Sequence, residues 1–206
     1  MEQTRVYGSQ FTDLPDVSTP DTSSPTLMYA PSALWGNGWF GPRMWYGDQA
    51  YHNHQRELVD ALTELQGFDV IFKLHHKERT QNPISSYIER TGADVTVKQD
   101  TPFTKVVSQA DIVLNDWPHT AFLEAMLYGR PIVYLDIGWT DWTEEGRRLL
   151  ESSLPVVRTT SGWQDRLRET LEAVASGATS CQYDRFLSTF CQPGFDGTPL
   201  WEYLQS

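Results

Sequence analysis

Cysteine is nearly absent. Cys181 and Cys191 are the only two among 206 residues, too few for a domain stapled by disulfides. Basic side chains are outnumbered: 16 Lys and Arg face 27 Asp and Glu, a formal net charge of −11. That balance argues against nucleic acid or an anionic membrane surface as the main partner. No apolar run approaches the ~20 residues that a membrane-spanning helix needs, so no transmembrane segment is expected. Residues 1–25 lack the apolar stretch of a secretory leader. They are polar and rich in Thr, Ser, Asp and Pro, and the expected location is the cytoplasm. Internal repeats are lacking too, and no Cys, His and Asp set is spaced for zinc, so no metal is expected.

What the chain does have is aromatic residues, 13% of the total against 39% hydrophobic. Many of them fall in apparent loops, where rings often line clefts. Residues 1–25, with Pro15, Pro20 and Pro25, read as a flexible N-terminal segment. Residues 26–178 read as one domain, and residues 179–206 as a C-terminal segment packing back on it through Tyr183, Phe186, Phe190, Phe195, Leu200 and Trp201. Within the domain, strands are expected at Thr26–Ala30, Asp69–Leu74, Val95–Lys98, Asp111–Asn115, Ile132–Leu135 and Pro155–Arg158. Helices are expected from Asp48 to about Gln66, and over Pro83–Thr91, Phe103–Gln109, Thr120–Tyr128 and Glu144–Ser152. Ser161 and Gln164 form a capping-box pattern that opens a last helix to about Ser176. This alternation predicts an α/β, doubly wound, mostly parallel sheet of about six strands.

Residues 110–136 are the most informative stretch. A buried strand, Ile112-Val113-Leu114, runs into the polar turn Asn115-Asp116-Trp117-Pro118-His119. A short apolar helix follows, Gly129 and Pro131 end it, and a second buried strand begins at once. Strand–helix–strand units with short loops build parallel sheets. Ligands of such sheets bind at the carboxyl ends of the strands, where helix N-termini offer free N–H groups.

Four segments in order resemble the C-terminal, donor-binding domain of GT-B glycosyltransferases, in particular the CDP-glycerol glycerophosphotransferase and capsule-polysaccharide group. They are Tyr29-Ala30-Pro31-Ser32 for "YAP(T/S)", Lys73-Leu74-His75-His76 for "K-L-H-P", the Ala110–Leu135 block for "aDivitDySS…fEal…GkPiv", and Asp196-Gly197 before Leu200–Leu204. The resemblance covers roughly residues 26–204. It departs from the pattern at His76, which replaces a proline, and at His119 and Thr120, which replace paired serines. It implies a single GT-B half, Rossmann-like, with the acceptor-binding half missing from these 206 residues.

Several residues are candidates for the chemistry. Thr120 and the amides after it can hold a diphosphate, or Thr120 is a plain N-cap. Glu124 lies on an otherwise apolar helix and needs a partner; the resemblance implies a contact to ribose or donor-sugar hydroxyls. Lys73 and His75 share one face of their strand and His76 takes the other; the resemblance makes His75 the residue that stabilises a phosphate. His119 is the second catalytic candidate. Asp116 can tune it as an acid–base pair, or can make an Asx-type turn. Ser32, Trp35 and Gly36 open a Gly-rich loop able to approach a pyrophosphate closely, with a ring to stack on a base. The same loop also reads as an ordered surface loop packed by its own rings, and not as a dinucleotide fingerprint.

The function expected is binding of a nucleotide-diphospho donor for a glycosyl- or glycerophospho-transferase in surface polysaccharide or teichoic-acid-like polymer synthesis. The partners are the nucleotide-activated sugar or glycerol donor, as substrate rather than cofactor, and an acceptor domain. The alternatives are a non-catalytic binding or scaffolding domain, and half of a sugar-nucleotide epimerase.

Overall fold

The computed structural model describes residues 24–34, 47–75 and 82–190. Six strands form one sheet: β1 (Thr26–Tyr29), β2 (Asp69–Lys73), β3 (Thr96–Lys98), β4 (Ile112–Asn115), β5 (Ile132–Asp136) and β6 (Val156–Arg158). Every neighbouring pair is parallel. The helices are α1 (Asp48–Thr63), α2 (Pro83–Thr91), α3 (Phe103–Val107), α4 (Thr120–Leu127), α5 (Glu144–Ser153), α6 (Trp163–Ala175) and α7 (Asp184–Phe190).

The central strands are near-continuous apolar runs because both of their faces are covered. Leu27 and Tyr29 of β1 point to one side, where they meet Leu58 and Leu62 of α1, Ile88 of α2, and Leu167 and Leu171 of α6. Met28 points to the other, toward Val106 of α3, Phe122 and Met126 of α4, Leu150 of α5 and Phe186 of α7. Gly129, at φ 63, ends α4 in a left-handed turn open to glycine at little cost, and β5 starts three residues later.

The strand order is β3-β2-β1-β4-β5-β6. The chain winds outward from β1 on one side and from β4 on the other, so the order reverses between β1 and β4. The carboxyl ends of those two strands therefore bound a crevice, the place where open α/β sheets take ligands.

Two expectations are corrected. The Ser161/Gln164 capping box does not form: Gly162 is the N-cap of α6, at φ 71, with no side-chain cap. And part of the C-terminal segment is a helix that sequence periodicity did not reveal, α7. Its Phe186 is 3% exposed and meets the Phe122 ring edge-on at 5.8 Å.

Candidate functional site

Residues after β1 and β4 are laced together across the switch point. Asn115, fully buried, donates from Nδ2 to the Ala30 carbonyl at 2.9 Å. Beside it Asp116 has no exposed surface. Its carboxylate accepts the Tyr29 hydroxyl and the Tyr51 hydroxyl, the latter at 2.8 and 3.1 Å. The Tyr51 oxygen in turn accepts the Ser32 amide at 2.7 Å. One carboxylate thus joins β1, β4, α1 and the chain leaving β1. Burial pushes the Asp116 carboxyl up to about 6, against the pull of its tyrosine hydrogen bonds, and the same burial holds both tyrosines well above their usual value.

His54 Nε2 is 3.8 Å from Asp116 Oδ2, beyond hydrogen-bond reach. Burial lowers this imidazole to about 4, so it is neutral wherever Asp116 is ionised, and the two are not an ion pair. Asp116 is therefore neither an Asx turn nor the partner of His119. Its oxygens belong to two tyrosines that come from distant parts of the chain.

His119, not Thr120, caps α4. Its Nδ1 accepts the Ala121 amide at 3.1 Å, which places the ring proton on Nε2. The His119 carbonyl also takes the amides of Phe122 and Leu123, at 3.0 and 3.4 Å. Two of the free first-turn donors, the Ala121 and Phe122 amides, are thus already engaged by one residue, and the helix end has less to give an anion than a bare terminus would. Nε2 itself is buried without a hydrogen-bond partner, as is Oδ1 of Asn115. Burial holds the His119 imidazole down at about 4; His75 lowers it further, while the carbonyls of Ala30 and Pro31 oppose that fall. His75 thus lies close enough to His119 to oppose its charge, beside the end of β1.

The other candidates divide. Ser32 lies on the rim, held by Tyr51. Thr120 is exposed at the first position of α4. Glu124 is half-buried, and burial raises its carboxyl above the usual range. It lies near Tyr128, whose hydroxyl it helps to raise after burial, and no described contact brings it to His75. Lys73 is 5% exposed and donates to the carbonyls of Leu74 and Gln99 at 2.6 and 2.9 Å, so its ammonium ties the ends of β2 and β3 rather than facing the crevice. Trp35, Gly36, His76, Lys77, Cys191 and the Asp196-Gly197 segment lie outside the described residues, as does most of the N-terminal segment. Gly36-Asn37-Gly38-Trp39-Phe40-Gly41 does have G-x-G-x-x-G spacing, but β1 ends at Tyr29 and α1 begins at Asp48. The span between these two described elements is longer than the tight strand-to-helix turn that this fingerprint uses. Among the described residues no three His, Cys, Asp or Glu side chains gather to hold a metal, and no helix is long and apolar enough to cross a membrane.

Sequence reasoning missed Tyr29, Tyr51 and His54 as members of this site. The available signal was a carboxylate directly after an all-apolar strand, which needs buried donors.

A cavity of about 880 Å³ lies elsewhere, lined among others by Pro131, Ser153, Gly177, Cys181 and Tyr183. These residues precede β5 and β6 or follow α6, so the cavity is at the amino end of the sheet. Its volume alone does not make it the site. Among the described residues, most of the buried unpartnered polar groups, His54 Nε2, both amide atoms of Gln55, Asn115 Oδ1 and His119 Nε2, are at the other end, against Arg130 Nε at this one.

No protein-family model and no curated protein matches the chain. Among solved structures, TarM matches 96% of this chain at 13% identity with a TM-score of 0.54, over 38% of its own length. WaaG, a glycosyltransferase involved in lipopolysaccharide biosynthesis, matches 75% at 14% identity with a TM-score of 0.45, over 38% of its length. The spinosyn rhamnosyltransferase SpnG, complexed with thymidine diphosphate, matches 81% at 14% identity with a TM-score of 0.44, over 41% of its length. The chain thus spans well under half of each. The likeness to TarM is one of fold: a Rossmann-like domain corresponding to one half of the GT-B architecture.

Proposed function

We propose that this domain binds the nucleotide-diphospho donor of a glycosyl- or glycerophospho-transferase in the crevice between β1 and β4. One observation carries the reading. At the switch point of a GT-B-like half, His75 lies close enough to His119 to oppose its charge, and His119 carries a buried Nε2–H that makes no well-formed hydrogen bond, with the Ala30 and Pro31 carbonyls near it. A phosphate oxygen is an acceptor of the right kind for that donor. At neutral pH His119 acts as a neutral hydrogen-bond donor. A dianionic diphosphate favours the charged form of both imidazoles, so binding draws protons toward the site. In transfer, His75 and His119 stabilise the departing phosphate, with Thr120 at the helix end and Ser32 on the rim. Glu124 takes donor hydroxyls if the donor extends along α4. The acceptor is positioned by a second half. Positioning alone is worth on the order of 7–11 kcal/mol in ideal cases, so this chain by itself binds without efficient turnover.

Calorimetry with CDP, UDP, GDP and CMP tests the reading. Binding of one or more diphosphates, weakened about tenfold or more by His75→Ala, is the expected result. Heats equal to dilution for all four would favour a scaffolding domain. Fast transfer by this chain alone would place the acceptor site within these residues.

A further inference from the structure

The knot of Tyr29, Tyr51 and Asp116 performs no step of the proposed chemistry, yet all three residues are fully buried beside the crevice. Its geometry is a relay. The Ser32 amide donates to the Tyr51 oxygen, the Tyr51 hydroxyl donates to Asp116, and the Tyr29 hydroxyl donates to the same carboxylate. Ser32 belongs to the chain leaving β1, the segment that must border any ligand at this switch point. The relay crosses from β4 to α1 and back to β1, so it fixes the width of the mouth as well as one amide.

We propose that Asp116 is a positioning residue for the nucleotide crevice: through the Tyr51 hydroxyl it holds the Ser32 amide and the start of the β1–α1 loop in the ligand-ready place. This deepens the reading of the crevice as a nucleotide site and rests on it.

Ionised, Asp116 offers only acceptors, and both tyrosines donate to it. Protonated, it carries an O–H that must donate to a tyrosine oxygen. The tyrosine hydroxyl displaced in this way must turn toward the other, 3.4 Å away, and the hold on Ser32 changes. Asp116 is fully buried, and burial brings its titration up to about 6. The titratable groups facing it are Tyr29 of β1, Tyr51 and His54 of α1 and, further off, Tyr134 of β5. The tyrosines are raised by burial and His54 is neutral above about 4, so Asp116 alone changes charge near neutrality.

The test follows the Ser32 amide by heteronuclear NMR in the ligand-free chain from about pH 5 to about pH 8, in wild type, Asp116→Asn and Tyr51→Phe. UDP and CDP affinities are measured on the same three proteins over the same range. In wild type the Ser32 amide should titrate with a midpoint near that of Asp116, and the ratio of wild-type to Asp116→Asn affinity should fall on the acid side, since protons drawn to the imidazoles on binding act alike in both proteins. In Asp116→Asn the amide profile should be flat, and the affinity profile should follow the imidazoles alone. In Tyr51→Phe the amide should exchange with solvent about tenfold faster. A Ser32 amide that does not titrate in wild type, or titrates alike in Asp116→Asn, would overturn the proposal, as would an affinity profile unchanged by either substitution. If no nucleotide binds wild type at any pH, the functional reading falls, while the Ser32 profile still decides the relay.

Discussion

A tyrosine hydroxyl clasps the backbone at each end of the sheet, and the two clasps differ in what stands behind them. At the amino end Tyr183 accepts the Ile132 amide and donates to the Arg130 carbonyl, both at 2.8 Å. Both partners are peptide groups, so the clasp is closed and carries no charge at any ordinary pH. At the carboxyl end Tyr51 accepts the Ser32 amide but donates to a buried carboxylate. Around it His54 Nε2, both amide atoms of fully buried Gln55, Asn115 Oδ1 and His119 Nε2 have no partner. A buried polar atom left unpaired costs on the order of 1–3 kcal/mol. Among the described residues the amino end leaves one such atom, Arg130 Nε, while the carboxyl end gathers five where a ligand would sit.

The largest expected effect is a pH-dependent stability difference. Asp116 titrates at 3.8 in the reference state and at about 6 when folded. Its folded value is raised, so the folded state is favoured at low pH, and that advantage is lost as pH rises from about 4 through 6. At about 1.4 kcal/mol per unit, the span is about 3 kcal/mol. Buried His54 and His119 act in the opposite sense: both are lowered to about 4 and lose stability as pH falls from 6.5. Wild type alone therefore shows a mixed curve, and the difference from Asp116→Asn isolates the carboxyl. Urea denaturation should find that variant gaining about 3 kcal/mol on wild type between pH 4 and pH 7. A constant difference would make the two clasps alike.

Tyr183→Phe comes next. It leaves the Ile132 amide and the Arg130 carbonyl without their partner, at a cost of about 1–2 kcal/mol, because the adjoining cavity can admit water to them. Burial raises the Tyr183 hydroxyl well above its usual value, so this cost should be the same at pH 5 and pH 8. A slope with pH would mean that the amino end is also electrostatically poised.

Much of this was legible along the chain. The strand Asp69–Leu74 is expected and Asp69–Lys73 observed, and Pro83–Thr91 is the same helix in both. Apolar runs bounded by Gly and Pro fix such elements locally. The central strand–helix–strand unit was legible for the same reason, with Gly129 and Pro131 as its punctuation. The knot was not. Tyr29 and Asp116 are 87 residues apart, Tyr51 and Asp116 65, and neither periodicity nor propensity reaches that far. Along the chain Tyr51 is one ring within the expected Asp48 helix, and Asp116 offers a partner for His119 or a turn, with nothing local to join the two. The cap of α4 was misread by one position because Thr is a usual N-cap and His is not. Here a buried imidazole supplies the acceptor.

His119→Ala removes that cap. At neutral pH the expected loss is about 1 kcal/mol. The gap to wild type should narrow as pH falls from 6.5 toward 4, because only wild type carries this lowered imidazole. If the crevice holds a diphosphate, UDP or CDP binding should weaken as well, and proton uptake on binding, read by calorimetry in buffers of different ionisation enthalpy, should shrink. Tyr183→Phe should leave binding unchanged.

The smallest structural effect is expected from Thr120→Val. Thr120 is exposed and does not cap α4, valine has nearly the same shape, and the two have similar helix propensities. Stability should change by less than about 0.5 kcal/mol. The substitution keeps the Thr120 amide and removes only the hydroxyl, so any loss of affinity belongs to one hydrogen bond. A bond to a charged phosphate is worth about 1–3 kcal/mol, and calorimetry with UDP or CDP resolves that range. A stable variant with weakened binding would separate function from structure at this end of the sheet, as Tyr183→Phe does in reverse at the other. A stable variant with unchanged binding would move the phosphates away from the α4 terminus toward His75 and the β1–α1 loop, leaving His119 to cap a helix and nothing more.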